Sequence, residues 1–193
     1  TSNVSKMTHS VMLGFLSFSP VSKVQFCVCD FENRGNSVIP FLELRKKLPD
    51  VFMGKVLTTQ EEIHDRLYNI SNGIDDFIQN KLGNKYANIF EYNEANPGHV
   101  EPITVLVLYD FPKGFDERNI AELKNILKNG NKCGIFALIC YNKKTEISSF
   151  NDLSNSIELI KNQCATVLYS ENSFWLNGLE LKIKSIPSSD DIN

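Results

Sequence analysis

Residues 103–115 read "ITVLVLYDFPKGF", and six of the first seven are apolar before the run meets an acid, Asp110. A continuous apolar run of this length, closed by a Pro-Lys-Gly turn, reads as a strand buried on both faces. Two further runs share its character: "KVQFCVCDF", a strand ending at Asp30, and "CGIFALICY", a strand ending at Tyr141 and Asn142. Between them lie stretches with helical spacing. Residues 1–18 place Met7, Val11, Met12, Phe15 and Leu16 on one side, with Pro20 just past the end. Thr59 with Glu62 forms a capping box ahead of Ile63, Leu67, Ile70, Ile74 and Phe77. Asp116 is placed to cap a helix that turns Ile120, Leu123, Ile126 and Leu127 inward, and the glycines of "KNGNKCG" end it. Shorter helices are expected in "PFLELRKKLPD" and "YANIFEYNE", a short strand in "VFMGKV", and a further helix in "SFNDLSNSIELIKNQ" followed by a strand in "CATVLYS".

Strands without polar alternation, separated by amphipathic helices, predict an α/β fold. A mostly parallel sheet forms the middle of three layers, with helices on both faces. "SFWLN" and "LELKIKSI" predict a C-terminal hairpin, with Trp175 closing the core, and residues 187–193 a polar tail. Residues 1–186 then form a single domain. The chain opens without an initiating Met and reads as a fragment of a larger one.

The bulk composition excludes several classes. The 193 residues carry a net charge of −3, so no phosphate-tracking surface follows from charge alone. The five cysteines lack the paired CxxC spacing of a zinc site and read as reduced thiols in a cytoplasmic protein. No secretory signal and no apolar run of membrane-spanning length occurs. No GxSxG supports a serine hydrolase, and His9, His64 and His99 have no partner at triad or ligand spacing.

Parallel sheets bind ligands beyond the carboxyl ends of their strands, which puts Asp30, Asp110 and the Tyr141–Asn142 pair at the candidate site. An acid there can hold a magnesium ion or polarise a water; it can equally be a helix cap or a solvated strand end. Asp30 is followed by Glu32, Asn33, Arg34 and Gly35 and reads as a turn. A phosphate loop needs glycines that let the backbone wrap the phosphate, and none occurs before Gly14, so Lys6 reads as a solvated helix residue.

Taken in order, these pieces resemble the motor domain of the FtsK/SpoIIIE family, RecA-like P-loop ATPases that translocate DNA or drive type VII secretion. "THSVMLGFLSFSPVSKVQFCVCDFENRG" resembles the helix after the phosphate loop and the strand that follows it. "KLPDVFMGKVLTTQEEIHDRL" is similar to the family's Leu-Pro-His stretch and acidic helix, and "NIFEYNE" to its Ile-x-x-Tyr-Asn segment. "VLVLYDFPKGF" resembles the second Walker motif, and "NGNKCGIFALICYNKK" the strand that delivers a Thr-Gln sensor. "SFWLNGLELKIKSIP" is like the end of some large multi-domain members.

The resemblance implies a RecA-like P-loop fold and a set of roles that this chain fills incompletely. Laying His9 on the family's His-x-Leu/Val stretch sets Asn3, Val4 and Ser5 on its Gly-Lys-Ser/Thr. Valine then stands for the phosphate-binding lysine, Ser5 keeps a magnesium-side hydroxyl, and Lys6 is an imperfect substitute for the lost charge. Tyr109-Asp110-Phe111 stands for Asp-Glu-Phe, with tyrosine in place of the magnesium-side acid and Asp110 in the catalytic position. Asn142 keeps a shortened sensor amide.

The implied nucleotide-binding residues are Ser5, Lys6 and Asn142. Asp110 is the implied catalytic residue, and Ser5 with Asp110 would hold magnesium in an active form. The cofactors are then ATP and Mg2+ if the domain is active and none if it is not. The implied partners are neighbouring motor domains or a homo-oligomeric ring, with DNA or a secreted protein as substrate, and the implied place is the cytoplasm. The expected function is a degenerate motor domain of a DNA translocase or type VII-like secretion ATPase with weak or absent hydrolysis. The alternatives are an active DNA translocase domain and a non-catalytic α/β interaction domain. DNA binding rests on the resemblance alone, and the acidic pI of about 5.7 opposes strong binding by this domain in isolation.

Overall fold

The computed structural model describes residues 3–20, 23–141, 153–176 and 179–181. Strand β2 (Ile103–Phe111) is the middle of a three-stranded parallel sheet, with β1 (Val24–Asp30) on one side and β3 (Ile135–Tyr141) on the other. The β1–β2 register is unbroken from Val24↔Ile103 to Asp30↔Tyr109. The β2–β3 register slips between Leu108 and Phe111, at the acid that ends the apolar run. Each strand is apolar along its length because both of its faces are covered.

One face carries α1 (Asn3–Phe18) and α2 (Ile39–Lys47). Here Val24, Phe26, Val28, Val105, Val107 and Tyr109 pack with Met12, Val38 and Phe41. The other face carries α3 (Gln60–Asp76), α5 (Glu117–Asn129) and α6 (Ser154–Asn162); α4 (Ile89–Ala95) lies between α3 and β2 in the chain. There Cys27, Cys29, Leu106 and Leu108 meet Ile63, Leu67, Ile120, Leu123, Ile157 and Ile160. The expected three-layer α/β arrangement is therefore present.

The capping signals behave as their chemistry requires. Asp116 Oδ1 accepts from Asn119 N–H at 2.9 Å and starts α5. Thr59 Oγ1 accepts from Glu62 N–H at 3.3 Å, while Glu62 Oε2 accepts from Thr58 and Thr59 N–H at 3.0 and 3.3 Å. An ion pair with Lys55 adds to this and is the largest reason that the Glu62 carboxyl is held down at about 2. A lowered folded value means the contribution is complete above the unfolded value of about 4.5 and is lost as pH falls towards 2. Glu62→Gln, which keeps a capping amide, is expected to flatten the acid limb of thermal stability between about pH 4.5 and 2. Unchanged slopes in pH-dependent melting curves would contradict the assignment.

Three expectations need correction. "VFMGKV" forms no strand of its own. Phe52 and Leu57 make single parallel bridges to Phe26 and Cys29, because Gly54 turns the chain at φ +82° between them. Met53 and Leu57 N–H still donate to Phe26 and Val28 carbonyls at 2.9 and 2.8 Å, so the segment covers the outer edge of β1. Phe77 lies past α3, in a π-helical turn over Phe77–Leu82. The expected C-terminal hairpin is present, β5 (Ser173–Leu176) with β6 (Leu179–Leu181), and together with β4 (Val167–Ser170) it forms a separate antiparallel sheet. Trp175 pairs with Leu168 there and is half-buried rather than closing the core. The tail 187–193 lies outside the described residues.

Candidate functional site

The carboxyl ends of β1 and β2 bring two acids together, and they do different work. Asp30 is fully buried. Its Oδ2 accepts from Gly35 N–H at 2.8 Å and Ser37 N–H at 3.0 Å, and its Oδ1 from the Ser37 hydroxyl at 3.2 Å. The carboxylate thus winds the loop that follows it, as expected of a turn acid. His9 of α1 fastens the same loop, its Nε2 lying 2.8 Å from Ser37 O, and burial lowers its pKa.

Asp110 is the strained member. It sits at φ +55°, in the left-handed region that non-glycine residues avoid, at the register slip in β2. That backbone lets Tyr109 face α1 while Phe111 turns to the opposite core. Asn33 Nδ2 donates to Asp110 Oδ2 at 2.9 Å, tying the two strand-end loops together. Burial raises the Asp110 pKa, with Asp30 and Glu32 adding to it and Lys113 opposing. Lys113 is itself paired with Glu32 at 2.7 Å.

Tyr109 lies beside Asp30 in the sheet and is 4% exposed. Burial, then Cys140, Asp30 and Asp110, push its phenol far above the usual range, so it stays neutral. Its Oη is buried and has no hydrogen-bond partner among the described residues. An unpartnered buried hydroxyl is a cost. Tyr109→Phe is therefore expected to raise unfolding stability by about 1 kcal/mol, read by urea denaturation. A loss of similar size would mean the hydroxyl has a partner.

α1 comes to the same end of the sheet. Thr8 Oγ1 lies 3.1 Å from Cys140 Sγ near the end of β3, whereas Phe15, two turns on, meets Phe136 near its start. The helix thus runs antiparallel to β3, and Ser5 and Lys6 lie within a turn of the Thr8 contact, at the carboxyl end. Asn3 Nδ2 donates to Tyr169 Oη at 2.6 Å, joining the start of α1 to β4. Tyr141 closes β3, and Asn142 lies outside the described residues.

The Asp30 oxygens accept from its own loop, and one Asp110 oxygen accepts from Asn33. Tyr109 places a neutral hydroxyl beside the two acids. Among the described residues no group of three or more His, Cys, Asp or Glu is placed to hold a metal. Asn33 and the orphaned Tyr109 hydroxyl were not legible as site features in the sequence. The only hint of Asn33 is the turn chemistry of "ENRG" after a strand-end acid.

No protein-family model matches the chain, and no curated protein sequence matches it. Solved structures do. The cytoplasmic domain of EssC superposes with a TM-score of 0.60 at 18% identity, over 80% of this chain and 29% of that one. The cytoplasmic domain of the type VII secretion ATPase EccC from Thermomonospora curvata gives 0.56 at 18%, over 72% and 17%. The conjugation coupling protein TcpA of pCW3, in a monomer form with ATPγS, gives 0.55 at 15%, over 70% and 38%. The chain spans well under half the length of each. No helix among the described residues is long and apolar enough to cross a membrane. With its parallel β1-β2-β3 sheet and two helical layers, the chain has a RecA-like α/β fold that it shares with these domains of EssC, EccC and TcpA.

Proposed function

We propose that this chain is a motor-type domain of a DNA translocase or type VII-like secretion ATPase in which ATP hydrolysis is weak or absent. The observation that carries this reading is Tyr109. It occupies a buried place next to Asp30 and Asp110, stays neutral, and has no charge with which to anchor a metal. Val4 in place of a phosphate-binding lysine supports the same conclusion, since a charge-assisted contact is lost.

On this reading the domain works through its neighbours, as one motor domain in a longer cytoplasmic chain or in a homo-oligomeric ring. DNA or a secreted protein would be the substrate. The domain spans residues 1–186, with 187–193 as a tail. Support for a larger assembly comes from β3. Segment 52–57 covers the outer edge of β1, whereas β3 pairs only with β2 among the described residues. All seven β3 residues are half-exposed although six are apolar and the seventh is Tyr141.

The test is isothermal titration of the chain with ATP and magnesium. The expected result is no saturable heat up to millimolar nucleotide. A micromolar dissociation constant together with magnesium-dependent turnover that is lost in Asp110→Ala would overturn the proposal and favour the active alternative, in which Lys6 and Asp110 serve the nucleotide.

A further inference from the structure

At the opposite end of the sheet, beneath the C-terminal half of α3, lies a cleft of about 480 Å3. Its origin can be read from the side chains. Near the start of α3, Ile63 and Leu67 fill the space between helix and sheet. Further along, the helix presents Gly73, and nothing lies within 4 Å of where its Cβ would stand. The floor is built from the small side chains of Thr104 and Cys133, and Ile70 and Phe77 supply apolar walls. The volume falls within the roughly 300–1,000 Å3 of typical small-ligand sites.

Arg66 gives the cleft its chemistry. One of its guanidinium nitrogens, Nη1, donates to Met53 O at 2.6 Å, a neutral acceptor. Among the described residues no carboxylate pairs with it. Glu101 on the rim is taken up in an ion pair with Lys81. A half-buried cation without a counter-anion, beside an apolar hollow, is complementary to an anion that carries its own apolar body. We propose that this cleft binds an organic anion, its carboxylate or sulfonate on Arg66 and its flat apolar body between Ile70 and Phe77. The site is remote from the strand-end acids and does not depend on nucleotide binding.

The test uses two fluorescent probes of similar shape, the anionic 8-anilinonaphthalene-1-sulfonate and the uncharged N-phenyl-1-naphthylamine. The intact chain is expected to bind the anion saturably, at one site. Gly73→Leu, which fills the hollow and favours the helix, is expected to weaken both probes at least about tenfold. Gly73→Ala is the milder variant, expected to weaken them about threefold. Arg66→Gln is expected to weaken the anionic probe about tenfold, the loss of one charge-assisted bond, and to leave the neutral probe within about twofold. Melting curves show that each variant is folded. The proposal is overturned by an absence of saturable binding, by unchanged affinity in both Gly73 variants, or by an Arg66→Gln effect equal for the two probes.

Discussion

Asp30→Ala is expected to destabilise the protein by about 4 kcal/mol in urea denaturation, the larger of the two main effects. The carboxylate is fully buried and accepts three hydrogen bonds, from Gly35 N–H, Ser37 N–H and the Ser37 hydroxyl. Its removal leaves backbone donors unsatisfied, and each orphan costs about 1–3 kcal/mol. Water can take up part of that loss, which keeps the figure below the sum of the three. Asp30→Asn keeps one acceptor oxygen and is expected to lose about half as much. The effect should spread to the second acid, because Asn33 belongs to the same loop and holds Asp110. A loss below about 1 kcal/mol in Asp30→Ala would show that the loop stands without its acid.

Gly114→Ala is expected to cost about 3 kcal/mol. Gly114 has φ +78°, where any side chain adds strain of about 1 kcal/mol. A Cβ there would also stand 2.6 Å from Phe31 Cγ and 2.9 Å from Phe31 Cβ. A change of χ1 would move Cγ but not Cβ, whose position the backbone sets, so the backbone must give way. Phe31 follows Asp30 and Gly114 follows Asp110, so this contact holds the two strand-end loops against each other. Adding Phe31→Ala should recover part of the loss. A double-mutant cycle is the direct reading, with an expected coupling of about 1–2 kcal/mol. Strict additivity would mean that Gly114 matters for its backbone conformation alone.

Much of the architecture follows from local signals that act alone. β1 and β2 are apolar on both faces because helices cover both faces, and that pattern predicts a buried parallel strand wherever it occurs. The Thr59 and Asp116 caps are legible because donor and acceptor lie within three residues of each other. The site was legible only in part. Asp30 and Asp110 could be placed at strand ends from their position after an apolar run. Their roles could not be read, because these are set by partners distant in sequence or by backbone shape. Asn33 reaches Asp110 across 77 residues. The left-handed conformation of Asp110 depends on the slip between β2 and β3. The cleft beneath α3 is a matter of volume, set where Gly73, Thr104 and Cys133 happen to converge. No periodicity reports such a coincidence. The antiparallel β4–β6 sheet was only half legible, since short strands can join an existing sheet or form their own.

The proposed function turns on whether Asp110, with the neutral Tyr109 beside it, supports hydrolysis. Steady-state ATP turnover with and without magnesium, for the wild type and Asp110→Ala, answers it. The expected result is turnover at or near background in both proteins, with or without magnesium. Turnover that requires magnesium and disappears in Asp110→Ala would contradict it and assign this fold a working hydrolytic site.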